Sequence, residues 1–348
     1  MQARPRNLSS IRTICCARPL KPLSEHATTA RNAGPSSVWA AVCWVVLLIA
    51  IQCSGALCAS HAAELQYPDP YAGKKKVLIV GDLHTGNQIA HDAVSHAMAT
   101  LEHLGRESGA YIAFLRTDTQ LVTKGDVWGS GDYAKGGTKQ TRGRNLDYFD
   151  AVVFYTNGET QMTPDQKRDL LTFVHEDGKG FVAVHTATAS FYTWPEYGQM
   201  VGGYFENHPW NVFDAPVIVE RPDFPAMKHL PHEFIMRDEM YQYRAPYSRE
   251  QVDVLASLDA SKLDLTNPGV KRTDRDFPVA WIKNYGKGRV FSSTLGHPDP
   301  AWDDPRVQTL YLEGIKWVLR LTTGEVRPHP ATSPTNTSSR ALVGGSVR

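Results

Sequence analysis

Short apolar runs alternate with amphipathic segments from residue 74 onward, where the chain settles into a regular pattern. The apolar runs predict β-strands at 76–80, 111–115, 149–155, 181–184, 216–220, 252–258, 279–284 and 289–294. Helical spacing of apolar residues predicts helices at 87–104, ended by Gly105, between Thr163 and Gly178, and at 305–321. Strands that alternate with helices are typical of an α/β layer fold, and we expect a single domain.

Turn and loop signals interrupt this pattern in three places. Gly286, Lys287 and Gly288 predict a tight hairpin turn between the last two strands. Residues 126–144 are rich in glycine and lysine without periodicity, which predicts a long surface loop, a kind that is usually functional or mobile. The tail at 323–348 is dominated by Pro, Thr, Ser and Gly toward its end, and too little apolar surface remains to offset the entropy of ordering. We therefore predict a disordered tail.

The chain begins with a basic segment that gives way to an uncharged one. Residues 1–37 carry six basic side chains against one acidic side chain, and no charge follows until after residue 60. The apolar run at 38–51 is too short to cross a hydrocarbon core of about 30 Å as a helix, but it suits the central region of a signal peptide. We expect a leader and signal peptide over 1–62, with cleavage near residue 60 and export to the periplasm or the extracellular space.

Two alternatives for this leader stay open. Residues 38–58 would form an uncleaved membrane anchor if no cleavage occurred, whereas a start codon placed too early would explain the length of the basic leader. With cleavage, a short linker at 63–73 precedes the α/β domain at 74–322, and no stable membrane span remains.

The positions of the cysteines and the net charge exclude several kinds of chemistry and binding for the mature chain. All five cysteines lie upstream of the expected cleavage, so neither a disulfide framework nor a thiol nucleophile remains. Without the leader, 31 basic and 35 acidic side chains give a formal net charge of −4. This balance gives no indication of nucleic-acid binding.

Residues that could take part in catalysis or ligand binding follow several predicted strands. His84 follows the first strand, Asn157 and Gly158 the third, His185 the fourth, and His297 the last. Ligands of open α/β sheets bind outside the carboxyl ends of the strands, so these residues are candidates for one site. A hydrogen-bonded structural role remains the simpler interpretation for any one histidine.

Two further segments supply candidates for the same site. The segment VGGYFENHPWN carries His208 and Trp210 among glycines and aromatic residues. The segment MRDEMYQY places Asp238 and Glu239 beside Tyr241. Adjacent acids on an exposed strand usually form a solvated face, but carboxylates interleaved with aromatic rings also suit a sugar site.

The burial of several imidazoles has a desolvation cost, and metal ligation is one way to offset that cost. Neutral imidazole is a common zinc ligand, so His185, His208 and His297 are candidate ligands of a divalent metal such as zinc. No HExxH or comparable spacing supports this prediction, and the sequence makes no cofactor certain.

The segments GFVAVHTATASFYTWPEYGQMVGGYFENHP, MRDEMYQY and FPVAWIKNYGKGRVFSSTLGHPDPAWDDPRVQTLYLEGIKWVL resemble the ThuA-like, or trehalose-utilisation, family of the class I glutamine amidotransferase-like superfamily. The resemblance covers about residues 74–322. It implies a flavodoxin-like α/β fold, with a mainly parallel sheet and helices on both faces.

The resemblance also places the candidate residues. His185 stands where the superfamily carries its catalytic cysteine, so thiol-dependent glutamine hydrolysis is excluded. The segment LGHPD, with His297 and Asp299, is similar to the superfamily's catalytic histidine and its carboxylate, and Asn157 and Gly158 lie where the oxyanion loop would be.

We expect an exported protein that acts on a small carbohydrate, a disaccharide or a keto-glycoside, as a glycoside-modifying hydrolase or lyase. Acid/base or metal-assisted chemistry would use His185, His297 and Glu239, while Asn157, Gly158, His84, Trp210 and Tyr241 would contact the substrate. The alternative is a non-catalytic carbohydrate-binding or regulatory protein on a degenerate amidotransferase-like fold.

Overall fold

A nine-stranded mixed sheet forms the centre of the protein, whose computed structural model describes residues 68–81, 91–127 and 144–330. The strands are β1 Lys76–Val80, β2 Ile112–Arg116, β3 Ala151–Phe154, β4 Gly180–Val184, β5 Tyr204–Asn207, β6 Val212–Val219, β7 Glu233–Glu239, β8 Gln242–Arg244, β9 Asp253–Leu258, β10 Pro278–Tyr285 and β11 Gly288–Ser293. The α-helices are α1 Ala93–Ser108, α2 Pro164–His175, α3 Pro195–Val201 and α4 Pro305–Val318.

The strand order is β2-β1-β3-β4-β11-β10-β9-β6-β7. Strands β2, β1, β3, β4 and β11 are parallel, and each later strand in the order is antiparallel to its neighbour. Strands β5 and β8 form a separate small antiparallel sheet. The predicted α/β fold with a mainly parallel core sheet is confirmed.

Apolar side chains on the two faces of the sheet form two core layers. Along β1, Val77 and Ile79 belong to one layer, which includes Val94 of α1 and Ile315 of α4, whereas Leu78 belongs to the other. The second layer includes Leu170 of α2 and Tyr197 of α3. This alternation is the period of two expected for a strand that is buried on both faces, so the helices cover both sides as predicted.

Local sequence signals place most of these elements correctly. Strand β1 has the predicted bounds, and Thr163 caps α2 through a capping box with Gln166. Helix α1 ends at Gly109, in a left-handed conformation, and the prediction that Gly105 ends it is wrong. A Cβ at Gly105 would lie 2.3 Å from the Tyr111 ring, so this glycine lets the ring pack closely against the helix.

The hairpin of β6 and β7 brings distant residues to the carboxyl edge of the parallel strands. Strand β7 is last in the strand order, yet the Thr294 hydroxyl beyond β11 donates to the Glu239 carbonyl at 3.4 Å. Arg306 at the start of α4 likewise donates to the Ile235 carbonyl at 3.0 Å. The hairpin therefore curls back over that edge, where β4, β11 and β7 all end.

In the part of the chain that the structure describes, no helix combines the length and apolar character needed to cross a membrane.

Candidate metal centre

His185 directly follows β4 in a strained turn. Its φ of 44° lies in the left-handed region that side chains other than glycine rarely adopt, and a short 3₁₀ helix, His185–Ala189, follows. A strained strand-to-helix turn at the carboxyl edge is the conformation of a nucleophile elbow, here with an imidazole in place of a thiol. The residue is fully buried, so the fold holds this ring inside the protein at some energetic cost.

The hydrogen bond to Thr294 sets the tautomer of His185. Its Nδ1 lies 2.6 Å from the Thr294 carbonyl oxygen, which only accepts, so Nδ1 carries the proton. In the neutral ring, Nε2 then carries a lone pair that can accept a hydrogen bond or bind a metal ion. Metal-binding histidines typically donate their other ring N–H to a carbonyl or carboxylate in this way.

Glu239 and His297 meet His185 at that lone pair. His185 Nε2 lies 3.2 Å from His297 Nδ1 and 3.6 Å from Glu239 Oε2, and His297 Nδ1 lies 3.2 Å from Glu239 Oε2. A tetrahedral zinc ion with bonds of about 2.0–2.1 Å would place its ligand atoms about 3.3–3.4 Å apart. The three atoms thus have the spacing of one face of a zinc coordination shell.

His91 completes a group of four residues that could hold a metal. One ligand atom from each of His91, His185, Glu239 and His297 lies within 4.8 Å of the others. The His91 ring packs edge-on against those of His185 and His297, with centroids 5.0 and 4.7 Å away. Its buried Nδ1 has no hydrogen-bond partner among the described residues, which fits a nitrogen whose partner is a metal ion.

Sequence reasoning missed His91 because the residue falls inside the helix predicted at 87–104. In the structure α1 begins only at Ala93, so His91 precedes the helix. A histidine just before the first amphipathic helix was the available signal.

The pKa values of Glu239 and His91 are both shifted downward. Burial raises the pKa of Glu239, but the adjacent His185 and His297 imidazoles outweigh burial and hold that pKa well below its usual range. Burial and, to a smaller extent, the neighbouring imidazoles lower the pKa of His91 to about 3. A neutral imidazole beside an ionised carboxylate is the protonation state that a metal requires.

His297 has the opposite shift. Burial lowers the pKa of this ring, but the Glu239 hydrogen bond and charge outweigh it and raise the pKa overall. Its carboxylate partner is Glu239. The superfamily motif suggested Asp299 as this partner, but Asp299 Oδ1 lies 3.8 Å from His96 Nδ1 instead.

Tyr241 and His208 border the centre. The Tyr241 hydroxyl lies 2.6 Å from His185 Nε2, and burial raises the pKa of this phenol far above its usual value. His208 Nδ1 lies 3.4 Å from Glu239 Oε1, and 39% of its side chain is exposed. His208 therefore lies beside the four-residue group and is not one of its members, although the sequence predicted it as a metal ligand.

The remaining candidates occupy other surroundings. Trp210 packs against Phe213 and Phe277 and donates its Nε1–H to the Asp264 carbonyl. Asn157 is half-buried after β3, and the N–H of Gly158 is donated to the Ala189 carbonyl, so the fold already uses it. The prediction for His84 lies outside the described residues.

The acidic pair of MRDEMYQY has a different environment from the solvated face that is usual for adjacent acids. Only 6% of Glu239 is exposed, and Asp238 is fully buried. The curled hairpin accounts for this burial, since it turns the end of β7 toward the centre.

The fold and the site define an α/β protein with a mainly parallel core sheet and a buried histidine in the turn that follows β4. A family profile described as trehalose utilisation, ThuA, matches residues 76–318. The chain belongs to this family.

Solved structures support the fold. A ThuA-like protein from Bacteroides uniformis has a TM-score of 0.55 and 22% identity, over 72% of this chain and 95% of that one. A ThuA-like protein from Parabacteroides merdae has a TM-score of 0.52 and 20% identity, over 72% of this chain and 92% of that one. No curated protein is similar enough to count as a match.

Proposed function

We propose that the protein is an exported, metal-dependent enzyme that modifies a small carbohydrate, a disaccharide or a keto-glycoside. The observation that carries this proposal is the triangle of His185 Nε2, His297 Nδ1 and Glu239 Oε2, with edges of 3.2 to 3.6 Å. His185 Nε2 and His297 Nδ1 lie 3.2 Å apart, a spacing that suits either an N–H···N hydrogen bond or a metal ion bound to both nitrogens. The family description, trehalose utilisation, supports a sugar as the substrate.

Zinc fits the donor set best, since three imidazoles and one carboxylate are ligands that zinc commonly takes. A bound divalent ion supplies Lewis-acid polarisation of a carbonyl or hydroxyl oxygen and makes a nearby water more acidic. The protein would hold the ion through His91, His185, Glu239 and His297, and the burial of His185 and Glu239 would limit the access of bulk water.

Partly exposed groups at the rim would handle the substrate. His208 lies beside Glu239, with Nδ1 3.4 Å from Oε1, and has a partly accessible ring, so it is suited to accept or return a proton at Nε2. Phe205 stacks on this ring with an interplanar angle of 23° and adds an apolar face of the kind that sugar rings bind.

Metal analysis tests the proposal directly. We expect about one equivalent of zinc or another divalent ion by elemental mass spectrometry of the purified protein, and loss of that ion in His297→Ala. Protein without metal, even after incubation with excess zinc, would contradict the proposal.

Turnover distinguishes an enzyme from a binding protein. Disaccharides and their keto derivatives would be incubated with the metal-loaded protein and analysed for products, alongside calorimetry of binding. Products that disappear in His297→Ala support catalysis, whereas binding without conversion supports the non-catalytic alternative.

Export has its own test. Expression of the full chain with a C-terminal tag, followed by N-terminal sequencing of the protein outside the cytoplasm, should give a start near residue 60. Full-length protein in the membrane fraction would support an anchor.

A further inference from the structure

Asp238 is the residue directly before Glu239 at the end of β7, and its side chain is fully buried. Its carboxylate accepts three backbone N–H groups. Oδ1 accepts from Glu239 at 2.8 Å and from His297 at 3.1 Å, and Oδ2 accepts from Gly296 at 2.7 Å. Two of these three groups belong to residues that supply ligand atoms to the centre.

The sheet itself does not fix these two residues relative to each other. Strands β7 and β11 are not neighbours in the sheet, so no ladder of backbone hydrogen bonds sets the distance between Glu239 and His297. Gly296 has a φ of 112°, which shows that the chain leaves the strand conformation directly before His297. A bond between the two segments must therefore come from a side chain.

We propose that Asp238 is the positioning residue of the metal centre, because its carboxylate fastens the loop that carries His297 to the end of β7. The assignment rests on the proposed function for its metal-binding consequence. An anionic oxygen makes stronger hydrogen bonds to N–H groups than a neutral acceptor does, so it suits a buried link that must hold a fixed geometry. Asp238 acts through Glu239 and His297, and it touches neither metal nor substrate.

The isosteric change Asp238→Asn separates this role from simple packing. An amide has one oxygen and one NH₂ group, so at least one of the three backbone N–H groups then faces another donor. The side chain keeps its size, while His297 and Glu239 keep their own side chains. We expect the zinc dissociation constant to rise about 10- to 100-fold, the range seen when outer-shell partners of metal ligands are changed.

Asp253→Asn is the matched control. Asp253 is also fully buried, pairs with Arg221 and accepts the backbone N–H of Arg327 at 2.7 Å. Its removal should lower the melting temperature and leave the zinc affinity within about twofold of the wild type. Both variants would be titrated with zinc by competition against a chromophoric chelator, and their thermal unfolding followed without metal. An Asp238→Asn protein that binds zinc as tightly as the wild type would overturn the proposal.

A second measurement does not depend on metal. Amide hydrogen exchange of the metal-free wild type should show slow exchange at Gly296 and His297, although both lie in a loop. Exchange at these two amides should become at least about tenfold faster in Asp238→Asn and stay unchanged in Asp253→Asn. Unprotected amides in the wild type would overturn the assignment, even if Asp238→Asn does not fold.

The two measurements keep the hypotheses apart. A wild type that binds no zinc contradicts the proposed function, and the exchange data alone then decide whether Asp238 positions the His297 loop. A wild type that binds zinc, with unchanged affinity in Asp238→Asn, contradicts only the role of Asp238.

Discussion

At the scale of single residues, the centre depends on a backbone conformation that its own residue does not favour. His185 adopts a φ of 44°, which costs roughly 1–2 kcal/mol for an L-residue with a Cβ atom. The hydrogen bond to the Thr294 carbonyl offsets part of that cost. Strain that persists at one buried position, with the ring aimed at three potential ligands, is typical of a functional site.

Comparison of His185→Gly with His185→Ala should measure this strain. Both variants lose the ring and its hydrogen bonds, but only alanine keeps a Cβ in the left-handed region. We expect His185→Gly to be the more stable by about 1 kcal/mol in urea unfolding, the reverse of the usual order. Greater stability of His185→Ala would mean that the turn is unstrained. Both variants should lose the bound metal.

Gly296 offers a second test at this scale. A Cβ at this position would meet the Trp302 ring at 2.7 Å, and its φ of 112° is also unfavourable for alanine. Gly109 has a φ of 66° with nothing within 4 Å, so Gly109→Ala reports the backbone cost alone. Gly296→Ala should lose about 1–3 kcal/mol more stability than Gly109→Ala in urea unfolding, because it adds overpacking. Equal losses would show that Trp302 yields without cost.

At the scale of elements, capping decides where α2 begins. The Thr163 hydroxyl accepts the Gln166 N–H at 3.2 Å, and the Gln166 side chain accepts the Thr163 N–H at 2.9 Å. Helix α2 covers one face of the sheet through Leu170 and Phe173. The loss of its cap therefore weakens the packing of a core layer.

Thr163→Ala should lower the free energy of unfolding by about 1 kcal/mol, because the Gln166 N–H in the first turn loses its hydroxyl acceptor. Thr163→Ser keeps a hydroxyl and should lose less than half of that amount. Chemical denaturation of the metal-free protein measures both. Equal losses in the two variants would indicate that the methyl group of Thr163, and not the cap, stabilises the helix start.

At the scale of the whole molecule, a buried ion network joins distant segments. Arg249 donates to both oxygens of Glu220 at 2.8 Å and to Asp276 at 2.8 Å. Burial raises the pKa of Glu220, but the Arg249 hydrogen bonds and charge outweigh burial and lower it. A carboxyl whose folded pKa lies below its unfolded value of about 4.3 stabilises the fold above that value. That contribution is lost as the pH falls through the folded pKa.

Glu220→Gln should therefore be less stable than the wild type at pH 7, by about 2 kcal/mol. The difference should shrink as the pH falls from about 5 toward 3, since Glu220 becomes protonated and then resembles glutamine. Urea unfolding of the two metal-free proteins across this range measures the difference in their free energies of unfolding. The histidines are the same in both proteins, so their titration cancels in this difference. A difference that does not change with pH would contradict the assigned shift.

Local signals in the sequence predicted most of the sheet and its helices. The apolar run KVLIV is β1, and Gly286 and Gly288 flank the turn between β10 and β11. The short elements α3, β5 and β8 went unrecognised because each is too short for a clear period, and the seven-residue strand β7 was not predicted either. Candidate residues of the centre were found where a strand ends in a histidine, as at His185, whereas His91 follows no strand.

The sequence by itself determined the α/β architecture, the absence of a thiol from residues 59–348 and the delivery of His185 to a strand end, because periodicity and composition act over short distances. Only the tertiary structure decided that Glu239 meets His185 and His297. That contact requires the β6–β7 hairpin to curl across the sheet edge, and the carboxylate of Asp238 joins segments 58 and 59 residues apart. Such long-range contacts depend on packing of the whole chain, which no local pattern encodes.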